Sequence, residues 1–123
     1  MRKNDRDSEG PVISGFSGRG FRVDGGVYEG LLITPERADG WSPPPLDELG
    51  EGDLAGVLAL DPKPEFIVLG TGSAMVRPAT ALLAALSARG VGVDFMDSRA
   101  AARLWGVLRA EGRWIAAALY PLD

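Results

Sequence analysis

The chain has 123 residues, of which 46% are hydrophobic and 24% are charged, so it is long enough for one domain with a substantial core. Its net charge of −4 argues against a nucleic-acid partner, because non-specific binders need a basic face to displace counterions from phosphates. Cysteine and histidine are both absent, which excludes disulfides, thiolate metal sites, catalytic thiols and a Ser-His-Asp triad.

The first ten residues, MRKNDRDSEG, mix acids and bases without an apolar run. They lack the hydrophobic region of a secretory signal and are too acidic for a typical organelle transit peptide. We therefore predict a disordered tail over residues 1–10 and a single α/β domain over residues 11–123, located in the cytoplasm. No window approaches the ~18 consecutive apolar residues of a membrane span, so the chain is not expected to cross a membrane.

The first predicted elements are β-strands. Apolar residues alternate over residues 21–23, residues 24–26 form a turn signal, and residues 27–33 resume an extended run. This pattern predicts an antiparallel hairpin of residues 21–23 with residues 27–33, preceded by a short strand at residues 12–13. Gly30 lies inside the second arm and predicts a bulge or a close backbone approach.

A long connection rich in proline and glycine follows, over residues 34–52. Structureless connections above ~12–15 residues are uncommon in compact domains and are usually functional. Trp41 lies in the middle of this one, and we expect it to pin the loop to the core in preference to stacking on a ligand. Residues 53–60 predict a short helix, with Asp53 as its N-cap and Pro62 beyond its end.

The rest of the chain alternates between strands and helices. Strands are predicted at residues 66–70, 91–95 and 114–120. The helix between the first two begins near Pro78 and ends at Gly90, and the helix before the last strand is capped by Ser98 and closed by Gly112. Parallel strands joined by helices, together with the antiparallel hairpin, predict a three-layer α/β domain around a mixed sheet with a βαβαβ C-terminal half.

The glycines at residues 70–72 (GTG) follow a predicted buried strand, as a dinucleotide fingerprint would. That fingerprint needs a third glycine three positions later, and Met75 stands there. Its helix should begin within the fingerprint, whereas Pro78 places the helix start later. Asp94 has the spacing of the ribose-binding acid, but the two failures predict that neither NAD nor FAD binds. No other cofactor and no metal is expected.

The carboxyl ends of parallel strands are nevertheless where open α/β sheets place their ligands. The candidate crevice at this edge comprises Gly70, Thr71, Gly72, Ser73, Arg77, Asp97 and Ser98. Arg77 would clamp an anion there, and the two helix starts would favour negative charge. Each residue also has a structural explanation, with Ser98 as N-cap, Asp97 as a first-turn charge and Arg77 solvated. We favour the structural explanation.

The last turn places Glu111 and Arg113 on either side of Gly112. One interpretation is a surface ion pair with partners nearby. The other is that Arg113 braces the sheet, or contacts a partner, through bidentate hydrogen bonds that lysine does not reproduce. We favour the structural role. Were the crevice an active site, acid–base chemistry would fall to Asp97 or Glu111, with Arg77 or Arg113 stabilising charge.

Several stretches together resemble a known family. They are GFRVDGGVYEGLLITP, Trp41, the strand ending in LGTG at residues 69–72, and the run from Met96 through Ala101 to Arg113. These are similar to the small domain of unknown function shared by mitochondrial complex I assembly factor 3, the adipogenesis-associated domain protein and many short bacterial and archaeal proteins. The resemblance covers about residues 12–121.

The resemblance implies a three-layer α/β fold around a mixed sheet of five strands, whose last strand runs antiparallel to the rest. It implies no established enzymatic activity or cofactor, and the mitochondrial relative acts through protein contacts. This chain has Trp105-Gly106 where members commonly carry Tyr-Asn, and Ser98 where they carry Thr, which weakens any shared polar site. Glycine in a helix interior costs about 1 kcal/mol relative to alanine, so we expect close packing around Gly106.

These observations predict a non-catalytic protein-binding module that resembles an assembly factor and acts as a monomer or homodimer. Trp41, Glu111 and Arg113 are its expected structural or interface residues. The alternative is a small-molecule, anion-binding protein or an enzyme that uses the crevice at Thr71, Arg77 and Asp97.

Overall fold

The computed structural model describes residues 10–123, so the predicted tail lies outside the described residues except for Gly10. Within this range the strands are β1 (Ile13–Ser17), β2 (Gly20–Val23), β3 (Gly26–Tyr28), β4 (Leu31–Ile33), β5 (Ala38–Gly40), β6 (Phe66–Gly70), β7 (Gly92–Met96) and β8 (Ala116–Leu119). The helices are α1 (Ala55–Leu58), α2 (Thr80–Ala88) and α3 (Ser98–Ala110). Two 3₁₀ turns, Leu46–Glu48 and Glu51–Leu54, precede α1.

Five strands form a mixed sheet in the order β5-β4-β8-β6-β7. β6 is parallel to both β7 and β8, whereas β4 is antiparallel to β8 and to β5. The predicted mixed sheet and βαβαβ half are therefore confirmed. The expectation that the last strand runs antiparallel to the rest is wrong, because α3 returns the chain to the edge where β6 and β7 begin. The strand that runs antiparallel to β6, β7 and β8 is β4, which pairs with β8.

The N-terminal hairpin is confirmed, but its second arm is shorter than predicted. β2 pairs antiparallel with β3, and β1 adds to the other side of β2 to form a separate three-stranded sheet. The predicted arm at residues 27–33 is split, since β4 belongs to the large sheet. The close backbone approach predicted at Gly30 is confirmed, because a side-chain carbon there would overlap the carbonyl of Trp41. The Trp41 amide donates to the Gly30 carbonyl at 3.0 Å.

The large sheet is buried on both faces, which gives the three layers predicted. On one face, Val68 of β6 packs in a cluster with Trp105 of α3 and Phe21 of the small sheet. On the other face, Ile67 of β6 packs in a cluster with residues of α1 and α2 such as Val57. All four residues of β8, the sequence AAAL, are buried. The small side chains of its three alanines leave room for helices on both sides of the sheet.

The helices end at the glycines predicted from the sequence, but their N-caps differ from the predicted ones. Gly90 and Gly112 follow α2 and α3, as predicted, and their φ values of 77° and 76° are those of the left-handed conformation in which glycine ends a helix. The N-cap of α3, however, is Asp97 and not Ser98, because the Asp97 Oδ1 accepts from the Ala100 amide at 2.9 Å. Asp53 is also not the predicted helix cap. Its carboxylate accepts from the Gly50 amide at 2.9 Å, within the preceding 3₁₀ turn.

The long connection is held by two aromatic side chains. The Trp41 indole packs edge-on against Tyr120, with ring centroids 5.3 Å apart, and its Nε1 donates to the Asp53 carbonyl at 3.0 Å. The Tyr120 hydroxyl donates to the Pro44 carbonyl at 2.7 Å. Burial, with a smaller contribution from Asp53 and Asp47, raises the pKa of Tyr120 to about 12. The connection is therefore packed against the end of β8.

Candidate functional site

Thr71 lies directly after β6, at the carboxyl edge where the crevice is predicted. Its Oγ1 donates to the Ala74 carbonyl at 2.6 Å, lies 3.2 Å from the Met96 carbonyl, and accepts from the Val76 amide at 3.1 Å. The side chain is buried, with 9% of its surface exposed. The hydroxyl therefore holds the loop that follows β6 against the end of β7.

Ser98 is fully buried at the first position of α3. Its Oγ accepts from the Gly72 amide at 2.9 Å and donates to the Tyr120 carbonyl at 2.8 Å. The Ser98 amide also donates to the Gly72 carbonyl at 2.8 Å. One hydroxyl thus joins the start of α3 to the chain after β6 and the chain after β8. Gly70 packs directly beside it, since a side-chain carbon there would lie 2.7 Å from Ser98 Oγ.

The structure does not bring all of the predicted crevice residues together. Arg77 is exposed and its guanidinium lies 5.9 Å from the Phe95 ring centroid, while the Asp97 carboxylate caps α3. A cleft of about 470 Å³ does lie at this edge, and it is lined by Arg19, Pro43, Pro44, Pro45, Thr71, Gly72, Ser73, Tyr120, Pro121 and Asp123. Arg77, Asp97 and Ser98 are not among its lining residues.

Arg19 is the cationic residue of that cleft, and the sequence did not indicate it. Its guanidinium donates to Glu29 and to the Asp123 carbonyl, both at 3.4 Å. The turn between β1 and β2 carries it to the end of the chain, because the Leu122 amide donates to the Arg19 carbonyl at 2.8 Å. This contact joins residues about a hundred positions apart, so no local pattern predicts it.

Arg113 is paired with a residue far away in the sequence. Its Nε and one terminal nitrogen both donate to Glu65 Oε1, at 2.9 and 2.7 Å, and Glu65 Oε2 accepts from the Trp114 amide at 3.2 Å. Glu111 is exposed and forms no part of this pair. The hydrogen bond from Arg113 is the main reason that the pKa of Glu65 lies below its ordinary value of 4.5. The pair braces the chain before β6 against the chain before β8.

The Arg113→Lys variant is expected to flatten the dependence of stability on acid pH. A carboxyl group whose pKa is lowered by folding stabilises the fold above its unfolded pKa, here 4.5, and this stabilisation is lost as the pH falls through the folded pKa. Lysine does not reproduce the two guanidinium hydrogen bonds, so the pKa of Glu65 should move back toward 4.5. Both side chains are over one third exposed, at 42% and 44%, so we expect a small effect that salt weakens.

The measurement is the urea unfolding midpoint of wild type and variant from about pH 6 to about pH 3, at low and at high salt. Glu65→Gln is the control, because it removes the titrating group and should give the same flattened profile. If Arg113→Lys matched wild type at every pH but lost a bound partner, the residue would serve an interface and not the fold.

Another concave surface lies between β1 and α3. Two depressions of about 540 and 350 Å³ share Ile13, Gly106 and Ala110, and together they form one groove that we call the β1–α3 trough. Its residues are Pro11, Val12, Ile13, Ser14, Gly15, Phe16, Ala102, Arg103, Trp105, Gly106, Val107, Arg109 and Ala110. Val12 and Val107 are 56% and 55% exposed there. Sequence reasoning did not identify this surface.

Two glycines line the trough, one on each wall. Gly15 belongs to β1 and Gly106 to the middle of α3, and a side-chain carbon built on either one has no neighbouring atom within 4 Å in the described part of the chain. The close packing expected around Gly106 is therefore wrong, because the residue faces open space and not a neighbouring element. Nothing in residues 10–123 sterically requires glycine at either position.

The described residues contain neither a cluster of metal-binding side chains nor a membrane-spanning helix. Across residues 10–123, no group of three or more Asp and Glu side chains comes together in a way that could hold a metal ion. Between the same limits, no helix is both long and apolar enough to cross a bilayer.

The chain is similar to several known proteins. Residues 13–120 match a family described as proteins of unknown function (DUF498/DUF598). An uncharacterised protein of Rhodobacter capsulatus is 35% identical over 111 residues, covering 89% of this chain and 84% of that protein. A crystal structure of a protein from Bordetella parapertussis superposes with a TM-score of 0.82 at 27% identity, covering 92% of this chain and 97% of that one.

A longer relative carries a functional name. The Danio rerio protein named NADH dehydrogenase (ubiquinone) 1 alpha subcomplex assembly factor 3 is 32% identical over 115 residues. The match covers 93% of this chain and 66% of that protein, so the chain spans just under two thirds of the relative's length.

Proposed function

The chain belongs to the DUF498/DUF598 family of proteins of unknown function, and from that premise we propose that it is a non-catalytic protein-binding module with an assembly-factor-like role. The name of the Danio rerio relative supports this class of function, although that protein is longer. In this proposal the module acts in the cytoplasm and docks onto a larger protein through the β1–α3 trough.

The observation that carries the proposal is the pair of unexplained glycines. Gly106 weakens the interior of α3, where glycine costs about 1 kcal/mol relative to alanine, and Gly15 weakens β1 in the same way. Neither position needs glycine for packing within the described chain, because a side-chain carbon at each would meet open space. Both line the same groove, beside exposed Val107. A partner surface that approaches the backbone at both positions accounts for the two glycines together.

Substitution of Gly106 is expected to separate stability from binding. Gly106→Ala should raise the free energy of unfolding by about 1 kcal/mol, since alanine favours the helix and meets no neighbour. Gly106→Leu should also fold, but it should lower the affinity for the native partner at least about tenfold by filling the trough. The measurements are urea unfolding and quantitative capture of the partner from the native lysate.

Gly52→Leu is the matched control, because Gly52 also faces open space but lies in a 3₁₀ turn outside the trough. Proteins captured by wild type and by Gly52→Leu, but lost with Gly106→Leu, would be partners that use this surface. An identical set of captured proteins for all three chains would refute a docking role for the trough.

The alternative, an anion site at Thr71, Arg77 and Asp97, has weaker support. The Thr71 hydroxyl and the Asp97 carboxylate are both engaged within the fold, and Arg77 lies apart over Phe95. The cleft beside Arg19 is the more suitable place for an anion. Inorganic phosphate that raised the melting temperature of wild type, but not of Arg19→Ala, would favour this alternative.

A further inference from the structure

The β1–α3 trough is a basic surface on an acidic protein. The chain has 17 acidic and 13 basic residues, yet the exposed charged residue that lines the trough, within residues 10–123, is Arg103. The helix α3, SRAAARLWGVLRA, contains three arginines and no aspartate or glutamate. Arg99 and Arg103 also lie 4.9 and 5.9 Å from the centre of the Phe16 ring.

The charges of Arg99 and Arg103 are not neutralised by the surrounding fold. Over residues 10–123, the ion pairs of the structure involve Arg19, Arg37, Arg89 and Arg113, and neither Arg99 nor Arg103 takes part in one. Both are exposed and stand one helical turn apart on the same side of α3. The potential at this end of the trough therefore favours a negatively charged occupant.

The shape of the trough favours a helical occupant over an added strand. β1 is an edge strand, but its register shifts between Ile13 and Gly15, and such a bulge interrupts the regular edge that strand addition needs. On the other wall, Ala102, Gly106 and Ala110 recur every four residues along α3 and extend for about 12 Å. A row of small side chains at this spacing admits the side-chain ridge of another helix.

Two other occupants fit less well. A second copy of this chain, meeting the trough face to face, would bring a second Arg99 and Arg103 and no acid from α3. Residues 1–9, MRKNDRDSE, contain Met1 as their sole large apolar side chain, which is too few to fill an apolar groove.

We propose that the β1–α3 trough binds an amphipathic helix of a partner protein, which sets apolar side chains between Gly15 and Gly106 and acidic side chains against Arg99 and Arg103. This inference rests on the proposed function and adds the chemistry of the partner. It corresponds to the recognition mode in which the apolar face of a helix enters a hydrophobic groove. The acidic flank supplies specificity and orientation, because its ion pairs form at one end of the trough.

The test uses the full chain and designed peptides. One peptide is an amphipathic helix of about four turns with a leucine face and glutamate flanks, a second has lysine in place of each glutamate, and a third is the acidic peptide with a central proline. Binding is measured by fluorescence anisotropy at low and at physiological salt. We expect the acidic helix to bind at least about tenfold more tightly than the other two, and more weakly as salt is added.

Reversing the charges of Arg99 and Arg103 tests whether these two residues determine which peptide binds. Arg99→Glu combined with Arg103→Glu should weaken the acidic peptide at least about tenfold and make the lysine peptide the better ligand. Arg77→Glu combined with Arg89→Glu, which changes the net charge equally outside the trough, should bind the acidic peptide as wild type does. The inference fails if the acidic peptide does not bind, if the lysine or proline peptide binds wild type equally well, or if the reversed chain keeps the wild-type preference.

Failure of this inference can be told apart from failure of the proposed function. If the acidic peptide fails but Gly106→Leu still loses captured proteins, the trough is a protein-binding surface for a partner of different chemistry. If Gly106→Leu instead converts a dimer to a monomer in light scattering, the occupant is a second copy. A variant in which a glycine–serine segment replaces residues 1–9 tests whether the chain's own N-terminus is the occupant. If this variant bound the acidic peptide strongly and wild type did not, residues 1–9 would be the occupant of the trough. Either of the last two results overturns the inference.

Discussion

Replacing Gly70 by alanine is expected to lower the free energy of unfolding by about 3 kcal/mol. Gly70 is the last residue of β6, and a side-chain carbon there would lie 2.7 Å from Ser98 Oγ, 2.9 Å from Ser98 Cα and 2.9 Å from Leu119 Cδ2. One of these atoms belongs to the backbone of α3, so side-chain rotation alone cannot relieve the overlap. The helix start must move away from the sheet, and the Ser98 hydrogen bonds must lengthen with it. The measurement is urea unfolding followed by tryptophan fluorescence.

Gly92→Ala is the control for this experiment. Gly92 begins the neighbouring strand β7, and its nearest contact for an added carbon is ordinary, at 3.7 Å from Phe66 Cβ. We expect its unfolding midpoint to equal or slightly exceed that of wild type, because alanine lowers the entropy of the unfolded chain. If both variants lost the same free energy of unfolding, the loss would come from replacing any strand glycine and not from the close approach of α3 to Gly70.

Replacing Ser98 by alanine is expected to cost about 2 kcal/mol of stability. The Oγ joins the Gly72 amide to the Tyr120 carbonyl at 2.9 and 2.8 Å, and the side chain is fully buried. Alanine leaves the Gly72 amide without its acceptor and removes a hydrogen bond from the Tyr120 carbonyl, and unmet hydrogen bonds of buried polar groups are costly. The loss should appear in urea unfolding and as faster amide exchange at Gly72.

Two other substitutions are controls for Ser98→Ala. Ser87→Ala, at an exposed position in α2, should leave stability within the few tenths of a kcal/mol typical of surface sites. Ser98→Thr keeps the hydroxyl and should retain most of the stability. If Ser98→Ala unfolded at the wild-type midpoint, the bridge between α3 and the two strand ends would contribute nothing to the fold.

Local sequence patterns predicted where the candidate site would lie but not the contacts of its side chains. The rule that ligands lie at the carboxyl ends of parallel strands predicts a site at the sheet edge where Thr71 and Ser98 lie. That rule did not show that the two hydroxyls are used within the fold. The Ser98 hydroxyl donates to the Tyr120 carbonyl, 22 residues away, and the Thr71 hydroxyl, which donates to the nearby Ala74 carbonyl, also lies against the Met96 carbonyl, 25 residues away. The partner of Arg113 was missed for the same reason, since Glu65 is 48 residues distant.

The trough was missed because both of its walls look unremarkable in sequence. Val12 and Ile13 resemble an ordinary strand, and Gly106 resembles a glycine tolerated by close packing. Whether a glycine faces a neighbouring atom or open space depends on the tertiary packing, and among residues 10–123 no atom lies within 4 Å of a side-chain carbon added at Gly106. The groove lies between β1 and α3, two elements that pack on the same face of the large sheet.

The sequence by itself determined the features that arise from interactions a few residues apart. The strand at Phe66–Gly70, the helix ends at Gly90 and Gly112, and the parallel crossover all follow from apolar runs, backbone sterics and chain length. Only the tertiary structure decided how the elements combine. Residues 27–33 divide between two sheets because the Gly30 backbone packs against Trp41, and the alanine-rich β8 is a strand because it is buried between β4 and β6. These outcomes depend on contacts between distant segments, whose free energies exceed the local preferences of the residues involved.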